Sequence, residues 1–207
     1  PHLSPDGRRV AYIAPYQGQG SRLFTVDLTT GESVQTTAVD GETQRLGDCA
    51  WVSNERLFCT VFALRRIQTD VEGAMRYVAL DFDGSDVVAL GFGLRDVIDW
   101  HPAEADSVLM ISRSGRGAGV VRVDTKSGMA GVVEPSMTYA VQFLTDGQGT
   151  PRLYGSQRIR GATGMQAEEI EFRYRRSGSS EWQSLGLYNT MSRDGMYPLA
   201  VDRERDA

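Results

Sequence analysis

The chain has 207 residues, 41% hydrophobic and 24% charged, and carries a net charge of −5. That balance belongs to a globular chain long enough for one sizeable domain, and its acidic sign argues against a nucleic-acid partner, which a basic surface would serve. No apolar run approaches the ~18 residues of a membrane helix, so no membrane partner is expected.

The first element is announced by LSPDGRRVAYIAP. Pro5 fixes φ for a turn, Asp6 can bond its own backbone, and Gly7 accepts positive φ. Residues 8–14 then alternate as a strand, with Val10 and Tyr12 on one face and Arg9, Ala11 and Ile13 on the other. Apolar groups on both faces predict a strand covered on both sides. A second strand, SRLFTVDL, runs into the turn TTGE.

The same arrangement returns. WVSNERLFCTVF, WHPAEADSVLMIS, LTDGQGTPRLYGS and MSRDGMYPLAV each place a polar turn before an apolar strand, at a spacing of roughly 45 to 50 residues. Between them lie LFTVDLTTGE, RYVALDFDGSD, VVRVDTKSG and FRYRRSGSSE, each a strand followed at once by a turn with glycine. A short β-prone stretch follows each turn: SVQTTAV, VVALG, MAGVVE and EWQSLG. The repeat is therefore a four-stranded unit, and no long amphipathic helix is predicted. One such unit cannot cover its own faces; stacked units can. The fold predicted over residues 1–207 is all-β, a partial β-propeller of four-stranded antiparallel blades. Four blades begin near Ser4, Asp48, Asp96 and Ala140, and the start of a fifth follows. A β-sandwich with evenly spaced hairpins is the weaker alternative, because the two markers keep the same order in every copy. The chain starts without Met and stops inside an apolar stretch, and it is expected to be a segment of a longer protein.

Two segments have the look of ligand loops. DFDGSD, at residues 81–86, resembles a calcium loop, but the twelfth position is Phe92 rather than an acidic residue, so a hairpin turn is expected. SGRGAG, at residues 114–119, is followed by a strand and not by the helix a phosphate cradle requires. His101, before Pro102, is expected in a turn and has no evident partner.

Cys49 and Cys59 flank AWVSNERLF. A turn centred on Asn54 sets them opposite each other, with Trp51 opposite Leu57 on the same face, so one register serves both a disulfide and the apolar packing. An even pair so placed suggests an oxidising compartment, hence a periplasmic or secreted protein; two separate buried thiols are the alternative. Two sulfurs alone do not make a zinc site, and no metal or cofactor is expected.

LSPDGRRVAYIAP followed by LFTVDLTTGE resembles the opening propeller blade of the prolyl oligopeptidase family of serine peptidases. CAWVSNERLFC and FRYRRSGSSEWQSLG are similar to its bacterial acylaminoacyl-peptidase and dipeptidyl-peptidase-like members. The resemblance implies a propeller capping a downstream α/β-hydrolase domain that carries a Ser-Asp-His triad and acts on a peptide substrate. The G-x-S-x-G elbow such a triad needs is absent: GESVQ and GSSEW both lack the last glycine. No catalytic residue is therefore expected in this chain. The SPDG turn also occurs in TolB-like propellers, so a periplasmic module that binds protein or peptide is the alternative.

Dipeptidyl-peptidase-like relatives hold a substrate's ammonium between two propeller glutamates. The resemblance makes Glu168 and Glu169 candidates for that role, although adjacent residues on a strand point apart and converge only in a loop. A solvated loop is the other reading. Arg65 and Arg66, with Arg158 and Arg160, are candidates to meet a substrate carboxylate, or are simple surface charges.

Overall fold

A computed structural model describes residues 1–67, 70–91, 93–101, 103–115, 117–161 and 164–205, with backbone only for residues 65–67 and 70–72. Phe92 and Pro102, and the side chains of Arg65 and Arg66, lie outside the described residues.

The chain folds as a partial β-propeller, all-β, in which the strands pair in sequence order into four-stranded antiparallel blades. Blade 1 contains β1 (His2–Leu3), β2 (Arg9–Tyr16), β3 (Gly20–Asp27) and β4 (Ser33–Val39). Blade 2 contains β5 (Gln44–Trp51), β6 (Arg56–Ile67), β7 (Asp70–Asp81) and β8 (Val88–Ala89). Blade 3 contains β9 (Leu94–Asp99), β10 (Ser107–Ser114), β11 (Gly117–Asp124) and β12 (Ala130–Thr138). Blade 4 contains β13 (Ala140–Thr145), β14 (Pro151–Ser156), β17 (Glu169–Tyr174) and β18 (Gln183–Asn189). A small hairpin, β15 (Ile159–Arg160) with β16 (Met165–Gln166), is inserted between β14 and β17.

The repeated SPDG-type turn does not open a blade. In blade 1 it follows β1, whose His2 and Leu3 pair with Ala11 and Val10. In every blade this turn joins the first strand to the second, and the DLTTGE-type turn joins the third to the fourth. The first strand escapes the sequence pattern in blade 1 because two residues cannot show a period. The expected start of a fifth blade, at residues 191–201, is described without a strand. It bends back on blade 4 instead: Met196 N–H donates to the Leu187 carbonyl at 3.1 Å, and Tyr197 meets the rings of Phe172 and Tyr188 edge-on.

The chain divides into two compact units, the first built mainly of blades 1 and 2 with the turns at 105–107 and 124–129, the second of the remainder of blades 3 and 4. In the first, the alternation of β2 turns Ala11 and Ile13 toward Leu23 of β3 and toward Cys49, Trp51, Leu57, Cys59 and Leu80 of blade 2. In the second, Leu109, Ile111, Ala118 and Val120 of blade 3 pack on Ala140 and Phe143 of blade 4. Each cluster is thus the seam between two blades, and the two-sided apolar pattern of residues 8–14 is its sequence trace.

Two buried charges sit at strand ends beside turns. Arg56 is fully buried; its guanidinium donates to the Asp81 carboxylate and the Asp86 carbonyl, both at 2.8 Å, and to the Thr125 carbonyl. In the second unit Asp99 accepts from the Thr145 hydroxyl at 3.1 Å and the Gly149 N–H at 2.8 Å. Backbone groups left over at these turns, which no ladder serves, are satisfied by these two side chains.

Candidate functional site

Blade 4 carries a segment with several exposed ionic groups, Arg158, Arg160 and Glu169. After β14 the chain leaves the sheet at Gln157 and returns at Glu169. The detour is held at its root by three hydrogen bonds. Gln157 N–H donates to the Tyr139 carbonyl at 2.9 Å, Gln157 Nε2 to the Ala167 carbonyl at 2.8 Å, and Ala167 N–H to the Arg158 carbonyl at 2.7 Å. These bonds give the loop a fixed base without filling its polar side chains.

Glu168 occupies a bend just before β17, and its carboxylate lies 3.1 Å from the Arg160 guanidinium. Its carbonyl accepts from both the N–H and the hydroxyl of Thr190, at 2.8 and 2.9 Å. Glu169 is exposed and opens β17 opposite Asn189. The two glutamates therefore stand in different local structures: the first is anchored and ion-paired, the second is a strand residue. Further along β17, Glu171 and Arg173 share a face and pair at 2.8 Å, and the Glu171 carboxylate raises the Arg173 pKa.

With both side chains of the Arg160–Glu168 pair largely open to water, their mutual attraction is weak. A ligand can compete for either partner: an ammonium for Glu168, or a carboxylate for Arg160. Arg158, on the same detour, is exposed.

Arg65 and Arg66 belong to the first unit. Their backbone extends the β6–β7 ladder, opposite Glu72 and Val71, and their side chains are outside the described residues. They lie near the end of the second strand of blade 2, whereas the Glu168 segment follows the second strand of blade 4. Elsewhere, DFDGSD is a hairpin turn in which Asp83 accepts from the N–H and hydroxyl of Ser85 at 2.9 and 2.6 Å. In SGRGAG, Ser114 ends β10 and Gly117 opens β11, and Arg116 lies outside the described residues. No group of metal-ligating side chains occurs among the described residues. His2 Nε2 lies 2.9 Å from Asp48, and the N–H of His101 donates to Asp99. Cys49 and Cys59 are joined by a disulfide, directly opposite in the β5–β6 ladder, with Trp51 opposite Leu57.

A cavity of about 500 Å³ lies at the other end of β17, lined by Arg152, Tyr174, Arg176, Met196 and Val201. No sequence pattern announced it, because residues 196–201 reach it only by folding back.

No protein-family model matches the chain, and no curated protein is similar to it in sequence. Among solved structures, an oligogalacturonate lyase in complex with manganese is similar over 97% of this chain and 52% of its own, at 12% identity and a TM-score of 0.51. The oligogalacturonate lyase of Vibrio parahaemolyticus is similar over 94% of this chain and 51% of its own, at 11% identity and the same score of 0.51. The β-propeller domain of the trilobed protease from Pyrococcus furiosus covers 91% of this chain and 61% of its own, at 12% identity and a TM-score of 0.49. The chain spans about half the length of the lyases it matches. At such identity the likeness to the lyases concerns the fold alone. Among the described residues no helix is long and apolar enough to cross a membrane.

Proposed function

We propose that this chain is a non-catalytic propeller segment of a serine peptidase of the prolyl oligopeptidase family. Its part there is to restrict entry to short or unfolded peptides and to contribute contacts for hydrolysis by an α/β-hydrolase domain of the same protein. The observation that carries the reading is the placement of the resembling segments. LSPDGRRVAYIAP and CAWVSNERLFC span the turn between first and second strands of blades 1 and 2. LFTVDLTTGE and FRYRRSGSSEWQSLG span the turn between third and fourth strands of blades 1 and 4. Each quoted motif thus falls on one structural unit of a blade. The weakly paired Arg160 and Glu168 supply groups suited to a peptide terminus. The Cys49–Cys59 disulfide supports a periplasmic or secreted location, since such bonds persist in oxidising compartments.

Two measurements test the reading. A serine-directed fluorophosphonate probe is expected to label no serine of this chain, and chromogenic peptides to remain uncleaved; labelling overturns the non-catalytic role. Fluorescent unfolded peptides are expected to bind with an affinity that falls when Glu168 becomes Gln. Binding of folded proteins in preference to unfolded peptides overturns the gating role in favour of a protein-binding module.

A further inference from the structure

Three links carry the chain from one blade to the next. In the first, at residues 40–43, the positive φ is taken by Gly41 at 82°; in the second, at residues 90–93, by Gly93 at 81°. The third link is a single residue, Tyr139, between β12 and β13, and its φ is 64°. The same left-handed backbone is thus met by glycine twice and by an aromatic residue once. Glycine has no Cβ to crowd the following carbonyl, whereas tyrosine has, and a bulky residue in this region is a genuine outlier. A conformation of this kind persists where the surroundings hold it, and such residues gather at ligand sites.

Backbone contacts hold Tyr139 in place. Its carbonyl accepts from Gln157 N–H at 2.9 Å, and Ala140 is the register partner of Ser156. Tyr139 is therefore tied by its backbone to the root of the detour that carries Arg158, Arg160 and Glu168. Its side chain is half-buried, and among the described residues its phenol and ring make no hydrogen bond or aromatic contact. Among the described residues no side-chain hydrogen bond or ring contact explains an aromatic residue where glycine would be easier.

We propose that Tyr139 is a ligand-contact residue, whose ring packs on a planar or apolar side chain of a peptide while the charged end of that peptide meets Arg160 or Glu168. The inference rests on the peptide-binding reading above. It adds a specificity that the charged pair cannot supply: a preference for an aromatic residue near the bound terminus. Aromatic stacking of this kind gives a factor of about 5 to 10 in affinity.

The test uses the 207-residue chain and two octapeptides with free N-termini and a fluorescein at the C-terminus, one with a single Phe near the start and the other with Ala in its place. Binding is read by fluorescence anisotropy and folding by thermal unfolding. Asn tolerates left-handed φ better than tyrosine does, so Tyr139→Asn is expected to keep Tm or raise it by about 2–4 °C. The same variant is expected to bind the Phe peptide about 5–10-fold more weakly and to lose the preference for Phe over Ala. Tyr139→Phe keeps the ring and is expected to bind within about 2-fold of the parent. A drop in Tm for Tyr139→Asn shows a ring needed for packing and overturns the proposal. Unchanged affinity and Phe preference in Tyr139→Asn overturn it too, while leaving the peptide-binding reading intact. Failure of the parent chain to bind either peptide overturns both.

Discussion

Beside the turn from first to second strand, the two compact units bury opposite charges. In the first, Arg56 is fully buried and donates to a carboxylate and two carbonyls. In the second, Asp99 is nearly as buried and accepts from a hydroxyl and two backbone N–H groups. At these two turns the sign of the buried charge follows the backbone groups left without a ladder partner: carbonyls in one case, N–H groups in the other. The units also differ in what else secures them. The first has the Cys49–Cys59 disulfide. It also has five aspartates, Asp6, Asp27, Asp40, Asp83 and Asp124, whose pKa values are lowered by hydrogen bonds within their turns. A unit that spends more turn hydrogen bonds on carboxylates is more exposed to acid. That contrast can be broken by experiment.

The largest effect is expected from Arg56→Met. It strands the Asp81 carboxylate and the carbonyls of Asp86 and Thr125, and should cost about 3–5 kcal/mol in urea unfolding. A loss under about 1 kcal/mol would show that water takes over these groups and that the burial of Arg56 is incidental.

Reduction of the disulfide comes next. The closed loop is short, with a sequence separation of 10, so about 2–3 kcal/mol is expected. Hydrogen exchange should rise at residues 57–61 and stay unchanged at residues 109–111 of the second unit. Equal loosening of both segments would deny that the units are energetically separate.

Asp99→Asn should have a smaller effect, about 1–2 kcal/mol, because the amide keeps one oxygen as an acceptor while the charge assistance is lost. Its exchange signature should fall on residues 143–150. Spread of that signature to blade 1 would again contradict the division.

The smallest effect is the acid dependence of the first unit. For all five aspartates the folded pKa lies below the ordinary value near 3.9. Their contribution is therefore complete above that value and is lost as pH falls through the folded pKa values. The causes are local. The Ser4 hydroxyl leads at Asp6, the Thr29 N–H at Asp27, the Thr43 N–H at Asp40, the Ser85 hydroxyl at Asp83 and the Ser127 N–H at Asp124. Hydrogen exchange below pH 4 should accordingly increase first in the turns of the first unit. Added salt should change this little, since hydrogen bonds rather than distant charges set the shifts. A strong salt dependence would assign the shifts to long-range charge instead.

The candidate site was legible in part. Glu168 and Glu169 stood out as acidic residues before a strand, and Arg160 as a basic point nearby. That Glu168 pairs with Arg160 depends on β15 and β16 turning the chain back on itself, through two-residue strands too short to show any alternation. Tyr139 gave no signal at all. Its importance lies in a backbone angle, and an ordinary MTYAV stretch does not reveal that a blade-to-blade link has shrunk to one residue. Arg56 was hidden for a related reason: a charged residue beside a turn reads as solvated by default, and the carbonyl of Thr125 that helps to bury it lies 69 positions away.

What the amino-acid sequence determined by itself is the order of turns and strands and the faces of the longer strands. Both are short-range properties: Pro, Asp and Gly set turn geometry within four residues, and side chains alternate with a period of two. The opposition of Cys49 to Cys59 and of Trp51 to Leu57 follows from the same local rules once the turn at Asn54 is placed. Tertiary structure decided the rest. It added β1 to the first blade, drew residues 191–201 back onto blade 4, buried Arg56 and Asp99, and forced Tyr139 into left-handed backbone. Each of these depends on a group remote in sequence, supplied by the neighbouring strand or turn, and no local pattern of the chain encodes which remote group that will be.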